Sequence, residues 1–253
     1  MKIAFVASPK PGAQTALKEL SDRYGQAAVA EAEFIVTLGG DHTALEALHE
    51  TLAMPAKPVF AMRTDGSVGS FCNSFRTHDL TDRLHAASRV QLPVLQAEME
   101  QVGGRSRELF AINEIVLDRQ VFQQAKLSVA VRGNGDPMNI NGDGLVLTTP
   151  IGSTGYNRTL GGPLLPLGSS LMAVTGKAIG CPLAWSPAVL SDHEILDVEV
   201  IEAAHRPVQI ATTSETIPNI CRARLFRSPD RTVTLLVDRE AQGRLCTPFG
   251  RQC

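Results

Sequence analysis

The 253-residue sequence has no excess of basic charge: its formal net charge is −2. A cationic surface for nucleic acid or an anionic membrane is therefore not expected. No apolar run is long enough to cross a bilayer as a helix, and the MKIAFVASP start is too short for a secretory hydrophobic region. The cysteines (Cys72, Cys181, Cys221, Cys246, Cys253) are odd in number, scattered and without CxxC pairs. That speaks against a disulfide framework or a zinc site and for reduced thiols. Internal repeats and low-complexity tracts are lacking. So is the GxxxxGK[ST] segment that would form a P-loop cradle. The expectation is a soluble, cytoplasmic globular protein with no nucleic-acid or membrane partner.

What the sequence does have is one unusual stretch, DGLVLTTPIGSTGYNRTLGGP, from Asp143 to Pro163. Asp143-Gly144 is a tight turn that can set a carboxylate beside a ligand. Leu145–Thr149 is apolar and β-branched, as a buried strand is, and Pro150 ends it. Gly152, Ser153, Thr154, Gly155, Tyr156 and Asn157 then crowd small residues, hydroxyls and an amide around one aromatic ring. Small residues admit backbone to a ligand, hydroxyls and amides hydrogen-bond it, and a Tyr face can stack on a base.

The rest of the chain divides near residue 90. Ile3–Ala7, Phe34–Leu38 and Val59–Met62 are apolar throughout, as central parallel strands are. Between and after them, helical spacing places Ala16, Leu17, Leu20 and Tyr24 on one face, with Gly25 as a stop. A second helix carries Leu45, Leu48 and Leu52, with Thr43 as its expected cap and Pro55 and Pro58 beyond its end. A third spans Asp79–Ala87. Alternating strands and helices predict a Rossmann-like parallel α/β domain over 1–89. Residues 90–226 read as a β-rich domain, with turns at Gly103-Gly104, Gly133–Asp136 and Asn141-Gly142. Its candidate strands include Val198–Ile201, Val208–Ala211 and Ala223–Phe226, with Val233–Val237 following. Residues 227–253 are expected to return to the first domain, and the stretch from Asp238 on shows little pattern.

Leu38–Leu48, LGGDHTALEAL, is a strand, a glycine pair, an acid and a helix start. The glycines let backbone N–H groups face an anion, and the helix terminus adds partial positive charge. Asp41 beside a phosphate then suggests a base or a magnesium-linked role, although a plain N-terminal cap is the simpler reading. Asn113-Glu114 is expected at a strand edge, where a plain polar pair is the simpler reading; the amide can both donate and accept, and the carboxylate can accept from hydroxyls. His42, Glu46, His49 and Glu50 could share a helix face, but their spacing matches no zinc pattern.

Together the long stretch, GGD and NE resemble the NAD kinases, whose motif runs DG, an apolar strand, TP-x-GSTAY and GGP. Gly155 stands where that family usually has Ala, and His42 stands in place of the last Gly of GGDG. The resemblance implies an α/β domain, a β-rich domain and a nucleotide site between them. It implies phosphorylation of the adenosine ribose 2′-hydroxyl of NAD, giving NADP, from ATP or polyphosphate with magnesium. Asp41 would be the proton acceptor. Asn113 and Glu114 would bind the adenine and ribose side, and Asp143 would face the nicotinamide part. Thr154, Gly155, Tyr156, Asn157, Arg158 and Thr159 would surround the dinucleotide, with His42 at the phosphates. A side chain at His42 could crowd them, and it would cost energy if the turn needed positive φ. Arg63 replaces a family Asn before Gly66 and Gly69, and Ser70-Phe71 stands in for Phe-Leu. Thr212 and Thr213 offer no carboxylate where family members have one, although Glu215 remains. Homo-oligomers, dimers or tetramers, are expected from the resemblance. The alternatives are a non-catalytic NAD-binding paralogue and a lipid or sugar kinase that shares GGD.

Overall fold

Three runs that are apolar on both faces open the chain, and such strands must be covered from both sides. They are β1 (Ile3–Ala7), β2 (Phe34–Gly39) and β3 (Val59–Arg63). The computed structural model describes residues 1–54, 57–64, 66–67, 69–239 and 241. It divides into one unit of Met1–Leu92, Pro166–Gly168 and Arg231–Cys253, and another of Pro93–Leu165 and Ser169–Asp230.

In the first unit β1, β2 and β3 pair in parallel, with Ile3 opposite Phe34 and Ile35 opposite Val59. A short β4 (Asn73–Ser74) joins β3, also parallel. Helix α1 (Pro11–Tyr24) starts with a proline in its first turn, where the missing N–H costs nothing, and buries Ala13, Ala16 and Leu20. Helix α2 (Asp41–Glu50) buries Ala44, Leu45, Ala47 and Leu48, and α3 (Leu80–Ala86) buries Leu80 and Leu84. Leu20, Leu38, Phe60, Leu80 and Leu236 meet in one apolar cluster. Thr43 is not the cap of α2. The helix is capped three residues earlier by Gly40, whose carbonyl accepts from Ala44 N–H at 3.2 Å, and Thr43 is buried inside it. A glycine pair leaving β2 turns directly into the helix without a side-chain cap. Leu52 lies in a 3-10 turn just after it. Pro55 is outside the described residues.

The second unit is built from β-strands: β5 (Ser88–Gln101, entering from the first unit), β6 (Ser106–Ala111), β7 (Glu114–Arg119), β8 (Ala125–Val131), β9 (Asn134–Gly142), β10 (Gly144–Thr148), β11 (Leu171–Lys177), β12 (Ala188–Ser191), β13 (Leu196–Val200), β14 (Val208–Ala211) and β15 (Thr216–Val237). One path of pairing runs β15-β14-β7-β10-β11-β12, and β15 also pairs β13, which continues to β8 and β9. Alternation buries Leu95, Leu117, Leu127, Leu147, Val198 and Leu225 in a common core. A single four-residue helix, α4 (Tyr156–Thr159), follows β10 among the described residues of this unit.

Two expectations change. The candidate strands Ala223–Phe226 and Val233–Val237 are one strand, β15, which passes through Ser228-Pro229-Asp230 without a turn. Its start pairs β13 and β14, and Leu235 and Leu236 pair with Val59 and Phe60 of β3. Asn141-Gly142 is not a turn either: both residues end β9, opposite Lys126 and Ala125, and the chain reverses at Asp143. Beyond Asp238, Arg239 and Ala241, the weakly patterned tail lies outside the described residues. No helix among the described residues is long and apolar enough to cross a membrane.

The end of β15 is tied into the first unit by polar contacts. Asn73 donates to Leu236 O at 3.0 Å and accepts from Asp238 N–H at 2.9 Å. Arg83, 8% exposed, donates to the Asp238 carboxylate at 2.6 Å and to Ser74 O at 2.8 Å. Removing one partner of a buried ion pair strands the other charge. Asp238→Ala should therefore lower unfolding free energy by about 3 kcal/mol in urea titrations. A loss below ~1 kcal/mol would show that the pair is not desolvated as described.

Candidate active site

The site residues of the second unit are organised around one backbone carbonyl. β7 and β10 pair antiparallel with Glu114 opposite Thr148, so the NE pair and the TP of the long stretch lie side by side. Asn113 O then accepts from Thr149 N–H at 2.9 Å, Thr149 Oγ1 at 3.1 Å and Thr148 Oγ1 at 3.2 Å. Thr149 Oγ1 also donates to Ile112 O at 2.6 Å. Gly152 closes over the same carbonyl: a Cβ there would sit 2.4 Å from Asn113 O, so no side chain fits.

This clasp fixes the backbone of Asn113-Glu114 while leaving their side chains unanswered. Asn113 Oδ1 and Glu114 Oε2 are buried and have no hydrogen-bond partner. Such orphans are costly in a folded core unless water or a ligand supplies the partner. Burial alone pushes the Glu114 carboxyl up from 4.5 to about 7.

The GSTGY segment is a 3-10 turn (Gly152–Thr154) leading into α4. Ser153 and Asn157 are fully buried and staple the turn to its own return segment. Ser153 Oγ donates to Pro150 O at 2.7 Å and accepts from Leu165 N–H at 3.0 Å. Asn157 donates to Pro163 O at 2.9 Å and accepts from Thr175 Oγ1 at 2.6 Å. The Asn157 amide is thus committed to holding the loop. Tyr156 is half-exposed, with Lys177 Nζ 5.2 Å from its ring centroid. Lys177 also bonds the Asp118 carboxylate. Thr154 is half-buried and donates to Ile151 O at 3.3 Å, while Gly155, Arg158 and Thr159 lie on the exposed side of the turn. A Cβ on Gly155 would make only an ordinary 3.4 Å contact with Gly152 O, so the alanine usual there has space.

Asp143 sits where β9 gives way to β10, paired with Arg119 Nε at 2.8 Å. The next residue must be glycine, because a Cβ on Gly144 would lie 1.8 Å from Leu117 O. The Arg119 guanidinium in turn lies over the Phe122 ring at 5.6 Å. Arg119 and Lys177 are functional neighbours that the sequence does not announce. Each is one charged residue in a strand, and only the register of β7 with β10, and of β10 with β11, brings them to Asp143 and Tyr156.

Asp41 and His42 belong to the first unit. Asp41 is the first residue of α2. Its carboxylate accepts from Ser70 N–H at 2.6 Å, Phe71 N–H at 3.3 Å and Cys72 Sγ at 3.4 Å. Burial pushes its pKa up, and these donors pull against that shift. His42 corrects an expectation: it lies inside α2 and is not among the positive-φ residues, so no left-handed strain arises. Its side chain is 75% exposed and points to Glu46, with Nε2 3.3 Å from Oε1. No group of three or more metal-ligating side chains occurs among the described residues, including this helix face. Arg63 is exposed. Near β14, Thr212 N–H bonds Glu215 O at 2.8 Å, and the Glu215 carboxylate is held by Arg107.

A family model described as the ATP-NAD kinase C-terminal domain matches residues 112–224. An NAD kinase from Hyphomonas neptunium is 37% identical over 238 residues, 94% of this chain and 92% of its own. One from Xylella fastidiosa is 38% identical over 239 residues, 94% of this chain and 91% of its own. The chain belongs to the NAD kinase family. The fold agrees. Yeast NADH kinase complexed with NADH superposes with TM-score 0.80 at 16% identity, covering 95% of this chain and 84% of that one. An Archaeoglobus fulgidus NAD kinase in complex with ATP gives 0.77 at 18%, covering 97% and 98%. Within that family frame, the second unit carries Asn113 and Glu114 at one end of the β7–β10 pair and Asp143 at the other, with residues 154–159 following β10, and the first unit carries Asp41 and His42.

The clasp is testable through Gly152. Gly152→Ala should cost about 3 kcal/mol, because the methyl meets backbone that cannot step aside. A variant as stable as the parent in thermal and urea unfolding would show that the carbonyl is not so enclosed.

Proposed function

We propose that Asp41 is the general base of an NAD kinase reaction in this chain, taking the proton of the adenosine ribose 2′-hydroxyl as it attacks the terminal phosphorus of ATP. The reaction is the family's: NAD is phosphorylated to NADP. The observation that carries the reading is the clasped Asn113-Glu114 pair, whose buried, unpartnered oxygens suit the exocyclic amine of adenine and the hydroxyls of its ribose. Asp143, Tyr156 and Thr154 line the dinucleotide further along, and Ser153 and Asn157 keep that loop in place.

Asp41 suits its role for two reasons. Burial makes its carboxylate more basic than an exposed aspartate. The Ser70 and Phe71 N–H groups hold it in one orientation. Phosphoryl transfer asks little covalent chemistry of a protein, so positioning of hydroxyl and donor supplies most of the rate. Magnesium would enter with ATP as part of the substrate. Bound there, it offsets charge on the transferring phosphoryl group. Inorganic polyphosphate presents the same transferable group.

Asp41→Asn keeps the shape and loses the basicity. NADP formation should fall at least about a hundred-fold, with NAD affinity within a few-fold of the parent. Undiminished turnover would remove Asp41 from this role.

Glu114 gives a second test. Its folded pKa, about 7, lies above the ordinary 4.5. The uncharged form is therefore favoured on folding, and the stability this contributes is complete below 4.5 and lost as pH rises through 7. Ribose hydroxyls donating to Glu114 would instead favour its carboxylate. NAD binding at pH 6.5 should then release up to about three-quarters of a proton, read by calorimetry in buffers of different ionisation enthalpy, and affinity should rise toward pH 8. Glu114→Gln should abolish the release. Proton-neutral binding by the parent would place the ribose elsewhere.

A further inference from the structure

Cys72 stands between a loop and a strand, and the fold gives it the Asp41 carboxylate as a neighbour. Asn73, the next residue, begins β4 opposite Met62 of β3. The Asn73 side chain is held by Leu236 O and Asp238 N–H, which anchors the backbone just after Cys72. Cys72 itself is 5% exposed. On its other side the loop turns back over the sulfur. A Cβ on Gly69 would lie 2.9 Å from Cys72 Sγ and 3.0 Å from Cys72 Cβ, so a glycine there leaves the thiol its place.

Three donors meet on the Asp41 carboxylate. Ser70 N–H bonds Oδ2 at 2.6 Å, Phe71 N–H bonds Oδ1 at 3.3 Å, and Cys72 Sγ donates to Oδ1 at 3.4 Å. The two N–H groups belong to the loop and go where the loop goes. The thiol belongs to the residue that enters the sheet, so it links Asp41 to β4. A buried cysteine commonly acts as a small apolar filler. One whose sulfur meets a carboxylate oxygen is also a donor, and a donor to the charged form favours that form. The thiol thus works with Ser70 and Phe71 against the burial that raises the Asp41 pKa. On α2, His42 and Glu46 are exposed and paired with each other, and Arg63 at the end of β3 is exposed. A substitution at Cys72 leaves these charges in place.

We propose that Cys72 is a positioning residue for the phosphoryl transfer: its thiol donates to Asp41 Oδ1 and ties the base to β4, so that the sheet and not the loop alone sets the plane of the carboxylate. The inference rests on Asp41 being the base and adds a residue outside the GGD segment.

Infrared difference spectroscopy on the full chain tests the contact without activity, because the S–H stretch falls where no other protein group absorbs. The band lost in Cys72→Ala should lie at the lowered frequency of a hydrogen-bonded thiol. It should move back toward the unbonded position in Asp41→Asn, and also as Asp41 is protonated at low pH. NADP-formation kinetics test the role. Cys72→Ala should lower kcat about five-fold, the worth of one ordinary hydrogen bond, with the KM values for NAD and ATP within two-fold. Loss of a donor raises the Asp41 pKa, so the acid limb of the kcat profile should move to higher pH. Cys72→Ser keeps an O–H donor and should recover part of both effects, whereas a cysteine that only fills space gains nothing from a hydroxyl. Cys181→Ala, at an exposed cysteine, is the control and should change neither kcat nor the pH profile. An unbonded Cys72 band that ignores Asp41→Asn would overturn the proposal. So would parental kcat and pH profile in Cys72→Ala; if Asp41→Asn still abolished turnover, Asp41 would remain the base. A bonded, responsive band with undiminished turnover in Asp41→Asn would remove the base reading and the positioning role with it, leaving only the contact.

Discussion

A single carbonyl oxygen, that of Asn113, carries the geometry of the Asn113-Glu114 pair and of the turn that follows β10. It takes three hydrogen bonds from Thr148 and Thr149, and Gly152 closes over it with no room for a side chain. Because the acceptor is saturated, residues 113–114 and 148–152 cannot move independently. Everything after Gly152 inherits its position: Ser153 pins the turn, Asn157 pins the return, and Tyr156 is carried between them. The interactions are ordinary in strength, each net of order 1 kcal/mol. Their value is in number and in burial, which turn a glycine-rich segment into a rigid frame.

Two carboxylates show how one chain sets different acid–base behaviour with the same tool. Burial pushes both Asp41 and Glu114 upward. Asp41 receives compensating N–H donors from Ser70 and Phe71, which also fix its orientation. Glu114 receives none at its buried Oε2, and burial alone lifts its pKa to about 7. At Glu114 the unmet hydrogen bond is tolerated because the surrounding backbone is held by others.

The parts of this arrangement that are local in sequence were legible there. The apolar runs of β1, β2 and β3, the periodicity of α1, and the glycines and hydroxyls from Asp143 to Pro163 all express their chemistry within a few residues. Parts that depend on register were not. Arg119 against Asp143 and Lys177 over Tyr156 arise from strand pairing, and nothing near either cation in the chain marks it. The unity of β15 was not legible either, because its two ends pair with different partners: its start with β13 and β14, and Leu235 and Leu236 with β3. His42 misled for a different reason. A glycine replaced by a larger residue suggests strain, yet the backbone there is already helical and the imidazole turns outward to Glu46. Asn157, expected at the ligand, spends its amide on the loop because α4 is too short to hold itself.

The most direct measurement is phosphorus NMR of the product formed from NAD and magnesium ATP, run beside an NAD analogue lacking the adenosine 2′-hydroxyl. The expected result is a new phosphomonoester resonance coupled to the adenosine ribose H2′ with NAD, and none with the analogue. A phosphomonoester formed on the analogue, or ATP consumed with no phosphorylated dinucleotide, would contradict transfer to the 2′-hydroxyl.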